Sequence, residues 1–342
     1  MKRFFFLYTL VFCLLCTTNA QKYYVSNLYA YDLFLLNPAA AGNEKTCYSI
    51  SGFCQKQWIG QEHSPGTQLL TFQGPLHGNL GMGTYLYNDQ NGAMEEIGFE
   101  QAFSYRLLIA KPSHGFDHFL SIDFGLGFVG NQTRLDESGL LDPDHFDPII
   151  GGGQESGWEM NVNTGFQLNF DDYHIGFSVA NLFPRNNSLY DSDLEPDLGK
   201  DVQLHAGALF KIPGYDIYLD PLIMYRQSTF LDRRLDVNLK VQFSSAQSDI
   251  TTWGLIGYRH VMDKNAGKSL VLGSALGVNY KRFTVGVEYQ HGLTQAQHDF
   301  GYSGQVVLGY KFCKKSTKGS PIPCSKTMRK SRFHNYQDRI WF

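Results

Sequence analysis

After its first twenty residues, this 342-residue chain has no run of about 18 uncharged apolar residues, which excludes a membrane-spanning helix from the rest of the sequence. Charge of one sign is also lacking: 29 Lys and Arg stand against 32 Asp and Glu, a net charge of -3, which gives no electrostatic case for a nucleic-acid partner. Cysteine is scarce, and of the six present Cys13 and Cys16 fall in the N-terminal apolar run. The remaining Cys47, Cys54, Cys313 and Cys324 show no metal-ligand spacing. Cys47 and Cys54 lie an odd number of residues apart on one expected strand, hence on opposite faces, and cannot pair locally without a break in it. Two readings stay open for the others, a Cys313–Cys324 bridge across the tail or unpaired thiols.

Catalytic signatures are missing as well. Gly267-Lys268-Ser269 resembles the end of a phosphate loop, but Met262 stands where its first glycine belongs, and the segment reads as a hairpin turn. His114 and His118 have helical metal spacing in a loop that contains Gly115, with no helix to hold them on one face. No Gly-x-Ser-x-Gly nucleophile elbow occurs. The acidic segment 131–156, with Asp142, Asp144 and Asp147, lacks the ligand spacing of a calcium loop. The chain is therefore expected not to be an enzyme, and no catalytic, cofactor-binding or metal-binding residue is assigned.

What the chain does have begins at the N-terminus. Lys2 and Arg3 precede the apolar run Phe4 to Cys16, and Thr18-Asn19-Ala20 supplies small residues for cleavage, so 1–20 reads as a secretory signal peptide with the mature chain starting at Gln21. Leu15 before Cys16 is a poor match to a lipoprotein signal.

The strongest pattern is strict alternation. Met160, Val162, Thr164, Phe166, Leu168 and Phe170 stand against Asn161, Asn163, Gly165, Gln167 and Asn169, and the pattern recurs at 120–128 and 235–242. Side chains alternate across a strand, so each of these strands separates two different environments. Stretches of roughly 9 to 11 residues suit a tilted strand crossing a bilayer better than a soluble sandwich. About fourteen such strands fit between 46 and 312, an even number, with 157–170 and 200–211 among them. An exported chain with no apolar helix crosses a membrane only as a closed barrel. The expected fold is an all-β transmembrane antiparallel barrel over 46–312, preceded by an N-terminal periplasmic segment, 21–45. The long polar segments 131–156 and 183–200 read as surface loops. Asp123, Asn161, Asn163, Gln167, Asp236, Lys240 and Glu288 face inward and either line a channel or fill a plugged lumen.

Composition changes abruptly after the last strand. The segment 313–342 carries Lys314, Lys315, Lys318, Lys326, Arg329, Lys330, Arg332 and Arg339 against a lone Asp338. It reads as a basic periplasmic tail, either solvated or docking through Phe333, Tyr336, Ile340, Trp341 and Phe342.

One ordered string carries more than pattern: Asn37-Pro38-Ala39-Ala40-Ala41-Gly42, Gln57-Trp58-Ile59-Gly60, Ser64-Pro65-Gly66-Thr67, Asn88-Asp89-Gln90-Asn91-Gly92 and Phe103-Ser104-Tyr105-Arg106. Ser178 to Leu182, Asp220-Pro221 and Gly257-Tyr258-Arg259 follow further on. The string resembles the PorP/SprF family, outer-membrane barrels of the type IX secretion system and gliding motility machinery of Bacteroidetes-type bacteria. Physical readings stand beside it: Asn37-Pro38 and Gly42 are turn chemistry before the first strand, and Trp58 suits an interfacial anchor. The chain departs from the family pattern with Ala40 in place of Tyr, Gln55 in place of Arg, and Tyr289-Gln290 and Gly304-Gln305 where acidic residues are common. The resemblance implies a component in the cell outer membrane that assists export or surface attachment of proteins with a C-terminal sorting domain. Its partners would be the type IX components, a secreted cargo protein and outer-membrane lipid, with no cofactor. A passive or ligand-specific, porin-like transport barrel is the alternative reading.

Overall fold

The computed structural model describes residues 27–44, 47–61, 64–110, 118–137, 153–183, 199–228, 233–244, 249–262, 268–293 and 301–313. The signal segment 1–20, the tail after Cys313, His114, Cys324 and Asp142 to Asp147 lie outside the described residues.

The strands are β1 (Cys47–Lys56), β2 (Gly66–Pro75), β3 (Leu80–Asn91), β4 (Met94–Ala110), β5 (Leu120–Asp136), β6 (Gln154–Phe170), β7 (Tyr173–Ala180), β8 (Asp201–Ala208), β9 (Phe210–Lys211), β10 (Ile217–Ser228), β11 (Arg233–Ser244), β12 (Ile250–Met262), β13 (Lys268–Tyr280), β14 (Phe283–Gly292) and β15 (Ser303–Cys313). Consecutive strands pair antiparallel, except that β8 and β9 both pair with β10 and not with each other, and β15 pairs back with β1 over Cys47↔Cys313 to Lys56↔Gly304. The sheet closes on itself, so the first and last strands have partners on both sides, as a passage through lipid requires.

β8 and β9 are two pieces of one barrel strand, so the barrel has fourteen. The register runs unshifted from Leu222↔Gly207 to Leu219↔Phe210, and the gap lies opposite Asp220 and Pro221. Proline has no N–H to give to the ladder, so the expected strand 200–211 is present with a break at Leu209. β5 runs on to Asp136 and β6 begins at Gln154, so both strands take residues from the segment expected as a 131–156 loop.

Outward side chains are apolar and exposed, among them Phe124, Leu126 and Phe128 on β5, Ile175 and Phe177 on β7, and Leu276 and Val287 on β13 and β14. Aromatic rings collect where strands end. Phe170, Tyr173, Phe210, Phe243, Tyr280, Phe283, Tyr310 and Phe312 ring the end that carries Cys47, Cys313 and tight turns such as Asp171-Asp172. Trp158, Tyr258, Tyr289 and Tyr302 stand toward the opposite, loop-bearing end. An apolar band between two aromatic girdles marks a membrane barrel.

Cysteine pairing differs from both sequence readings. Cys47 and Cys313 form a disulfide across the β1–β15 seam, closing a loop of 266 residues, so a Cys313–Cys324 bridge is ruled out. The partner lay out of reach of local reasoning because barrel closure alone brings the two ends of the sheet into register. Cys54, on the opposite face of β1, is free and exposed.

Replacing Cys47 and Cys313 together by Ser is expected to destabilise the barrel by about 2–4 kcal/mol, since the crosslink restricts the unfolded chain. The check is the temperature at which the folded, fast-migrating species disappears on gels; an unchanged temperature would contradict the seam assignment.

Candidate functional site

Residues 27–44, expected on the periplasmic side of the membrane, lie inside the barrel. Leu28, Tyr29, Tyr31, Leu33, Phe34, Asn37, Ala39 and Ala41 are each at most 4 % exposed, and the wall surrounds them. Three short 3₁₀ turns, Asn27–Ala30, Leu33–Leu35 and Pro38–Ala40, fold this plug. Asp32 caps the second by accepting from Phe34 N, and Asn37 caps the third by accepting from Ala39 N at 2.9 Å. Pro38, with no N–H to leave unsatisfied, starts the third turn. Short polar caps let a compact chain satisfy its backbone where water is excluded.

Two of the inward polar residues read from the sequence, Asp236 and Glu288, bond this plug directly, and others brace the wall around it. Tyr29 donates to Asp236 Oδ2 at 2.6 Å, where Arg234 and Arg259 also converge, and Asn238 donates to Tyr29 Oη at 2.9 Å. Tyr31 donates to Glu288 Oε2 at 2.6 Å. Asp32 accepts from Gln73 Nε2 at 2.8 Å and from Thr71. Asn37 donates to Phe166 O at 3.0 Å and contacts His205 Nε2 at 3.1 Å. Ser178 donates to Leu36 O, Ser104 to Ala41 O and Arg106 to Asn43 O. Arg106 is itself locked to Asp123, which is fully buried and accepts from Nε and Nη2 at 2.9–3.1 Å. Gln167 and Asn169 complete that network. Lys240 lies over the Trp253 ring at 5.0 Å, opposite Asp220. Asn163 bonds Glu100, whereas Asn161 bonds the backbone of Phe183 and serves the wall alone.

The lumen wall also has an apolar side that alternation did not reveal. Phe53, Leu69, Leu222, Met224, Trp253, Leu255 and Val307 point inward and pack on Leu28, Tyr29, Tyr31 and Leu33. Leu222 to Met224 and Trp253 to Leu255 are apolar in both strand phases or nearly so, which was the available signal. On the other side the wall is cut away. A side chain at Gly165 would overlap Asn37, and one at Gly125 would overlap the Pro38–Ala39 peptide. Gly42, with φ +59°, turns the plug toward β1. Glu44 then pairs with Lys311 at 3.0 Å, just ahead of the disulfide. A cavity of ≈ 30 Å³ lies between plug and wall, lined by residues including Asp32, Arg106, Asn169 and His174.

Two departures from the family pattern meet here. Gln55 and Gln305 are register partners across the seam, both face the lumen, and the amide atoms of both are buried without hydrogen bonds. A pair of opposite charges suits that position; here both members are neutral. Asp32 is in the plug, outside the spanning strands, and burial pushes its carboxyl up to about 6 against the bonds from Phe34, Gln73 and Thr71.

Among the described residues one group has metal-like proximity, Glu44 with Cys47 and Cys313, and the disulfide occupies both sulfurs. His118 bonds Asp171 at an exposed turn.

Three outcomes are expected. Gly165→Leu should unseat Asn37 and give conductance in planar bilayers where the parent protein is silent; silence of the variant would contradict the packing. Gln55→Arg and Gln305→Glu should each destabilise the barrel by about 3–5 kcal/mol, as a lone buried charge does, and the double variant should recover most of that loss. Additive losses in thermal unfolding would sink the pairing. The raised Asp32 means the folded state takes up a proton near pH 6. Relative to Asp32→Asn, the parent should therefore hold its plug more firmly as pH falls from 7 to 4, and lose that advantage as pH rises through 6. A difference in unfolding temperature that does not vary with pH would refute this.

Solved structures with this architecture are outer-membrane barrels. The CymD monoaromatic hydrocarbon channel aligns with a TM-score of 0.50 at 12% identity, over 87% of this chain and 95% of that one. A Pseudomonas aeruginosa FadL homologue gives 0.46 at 10% identity, over 83% and 93%. CdiB from Acinetobacter baumannii gives 0.38 at 10% identity over 78% of this chain, which spans 60% of that protein. At such identities the likeness is one of fold. No curated protein matches the chain. The family described as type IX secretion system membrane protein PorP/SprF, in contrast, matches residues 18–310, from before the plug to the last strand. A membrane barrel whose Asn37–Gly42 segment lies within its plug, this chain belongs to the PorP/SprF family.

Proposed function

We propose that this barrel sits in the outer membrane and helps export, or attach at the cell surface, proteins carrying a C-terminal sorting domain, as a binding and positioning part of the type IX machinery and in some settings of gliding. Family membership supports the system. The observation that carries the mode of action is the plug: from Leu28 to Ala41 the lumen is filled by the chain itself, held by buried hydrogen bonds on both sides. A pore for solutes does not need such an interior, so the porin-like reading is the weaker one. The reading carries no chemical step, and the residues of the site have structural partners in place of an open cleft. Both termini of the described barrel lie at the tight-turn end, which barrel topology assigns to the periplasm. The basic, aromatic segment after Cys313 would then meet periplasmic components there.

Removing the gene is expected to abolish surface delivery of a cargo bearing the sorting domain, measured by protease shaving of intact cells. Deleting 314–342 should impair delivery while the barrel still assembles. Normal delivery without the gene would overturn the reading, and steady conductance by the purified parent protein would favour the porin instead.

A further inference from the structure

One polar contact between plug and wall fixes where a proton sits. Asn37 presents both ends of its amide to partners of a single kind: Oδ1 accepts from Ala39 N at 2.9 Å, and Nδ2 donates to Phe166 O at 3.0 Å. A backbone N–H only donates and a carbonyl only accepts, so the amide cannot be turned over. The remaining contact of Asn37, Nδ2 to His205 Nε2 at 3.1 Å, therefore has Nε2 as its acceptor. His205 on β8 is neutral and carries its proton on Nδ1, a buried atom with no hydrogen-bond partner among the described residues. The wall is shaped to this contact. A side chain at Gly176 would overlap both His205 Nε2 and Asn37 Nδ2, as one at Gly165 would overlap Asn37 Oδ1.

No carboxylate among the described residues bonds His205. On β7 it faces His174, with ring centres 5.6 Å apart, and on its own strand Asp201, which Arg226 of β10 engages at 2.7 Å. β10 also brings Met224 directly opposite His205, and Asp220, whose register partner is Lys240. The plug's Asp32 is turned to Thr71 and Gln73 of β2, and β6 contributes the amides of Gln167 and Asn169. The cavity between plug and wall reaches His174, one ring away from His205.

We propose that the Asn37–His205 contact is an acid-sensitive latch on the plug: neutral His205 holds Asn37, and acidification releases the Asn37–Gly42 turn from the wall. A second proton on the ring goes to Nε2, which turns the acceptor into a donor aimed at another donor. The hydrogen bond is lost and a buried charge is left without an acceptor, so the protonated ring is compatible only with Asn37 withdrawn. With the plug seated Nε2 is bare; with the plug withdrawn a hydrated imidazole takes up a proton below about pH 6.5. The latch is therefore whole above that pH and fails as pH falls through it, each further unit multiplying the withdrawn population about tenfold. Asp32 works in the opposite sense, since the seated plug takes up its proton near pH 6. The latch concerns how the barrel holds its plug and stands apart from the export reading.

The test follows hydrogen exchange of the plug segment 27–44 by mass spectrometry, in the full barrel in detergent micelles, with intrinsic exchange rates corrected at each pH. His205→Gln supplies an Oε1 that accepts from Asn37 and takes up no proton, while Asp32 and His174 are present in both proteins and cancel. Relative to about pH 7.5, the ratio of plug opening in the parent to that in His205→Gln is expected to rise about tenfold by about pH 5.5 and about a hundredfold by about pH 4.5. Should that variant fail to assemble, the ring nitrogens of His205 are read by NMR in the isotope-labelled parent, with Nδ1 protonated and Nε2 bare expected at neutral pH. A ratio that does not change with pH, an Nε2 that carries the proton at neutral pH, or an acid response removed by His174→Gln and retained in His205→Gln would each overturn the proposal.

Discussion

Every backbone N–H and C=O that lies in lipid must find a partner within the protein, and the rest of this structure follows from that requirement. It forces a sheet whose first and last strands meet, and the meeting brings Cys47 and Cys313 together from 266 residues apart. It also fixes strand phase. Once Phe124, Leu126 and Phe128 face lipid, Asp123 and the residues at 125 and 127 face the lumen, and a slip of one residue would exchange the two sets.

The interior meets a second version of the same requirement. Buried polar groups are tolerable where they are paired, and most of those on the inner wall are paired, either with each other or with the plug. Asp123 with Arg106, and Asp236 with Arg234, Arg259 and Tyr29, are fixed by several bonds each. The apolar half of the wall, from Phe53 and Leu69 round to Trp253 and Val307, binds the aromatic start of the plug by burial instead. The plug is thus oriented by two unlike surfaces.

Period-two alternation made the barrel, the strand number and the outward faces legible in the sequence, because lipid and lumen impose opposite polarity on neighbouring residues. The same reasoning placed Asp123, Asp236 and Glu288 inside, correctly, without saying what they touched. The plug was not legible because it has no period. Asn37-Pro38 and Gly42 were read as turn chemistry, which they are, but a turn looks the same beside a barrel as within one. Local rules likewise could not pair Cys47 with Cys313, nor align Gln55 with Gln305, since only closure makes them neighbours. The Pro221 break was written plainly in the chain, and its effect on the strand opposite emerged only with the register.

The position of the plug's tether has a mechanical meaning. Glu44 is clamped to Lys311, and three residues later the chain is bonded through Cys47 to the last strand. A force applied to the plug from the loop-bearing side does not pass along a slack leader. It is delivered to a place where the wall is sewn by a covalent stitch as well as by hydrogen bonds. The barrel can therefore bear a load on its interior without that load tending to unzip the seam.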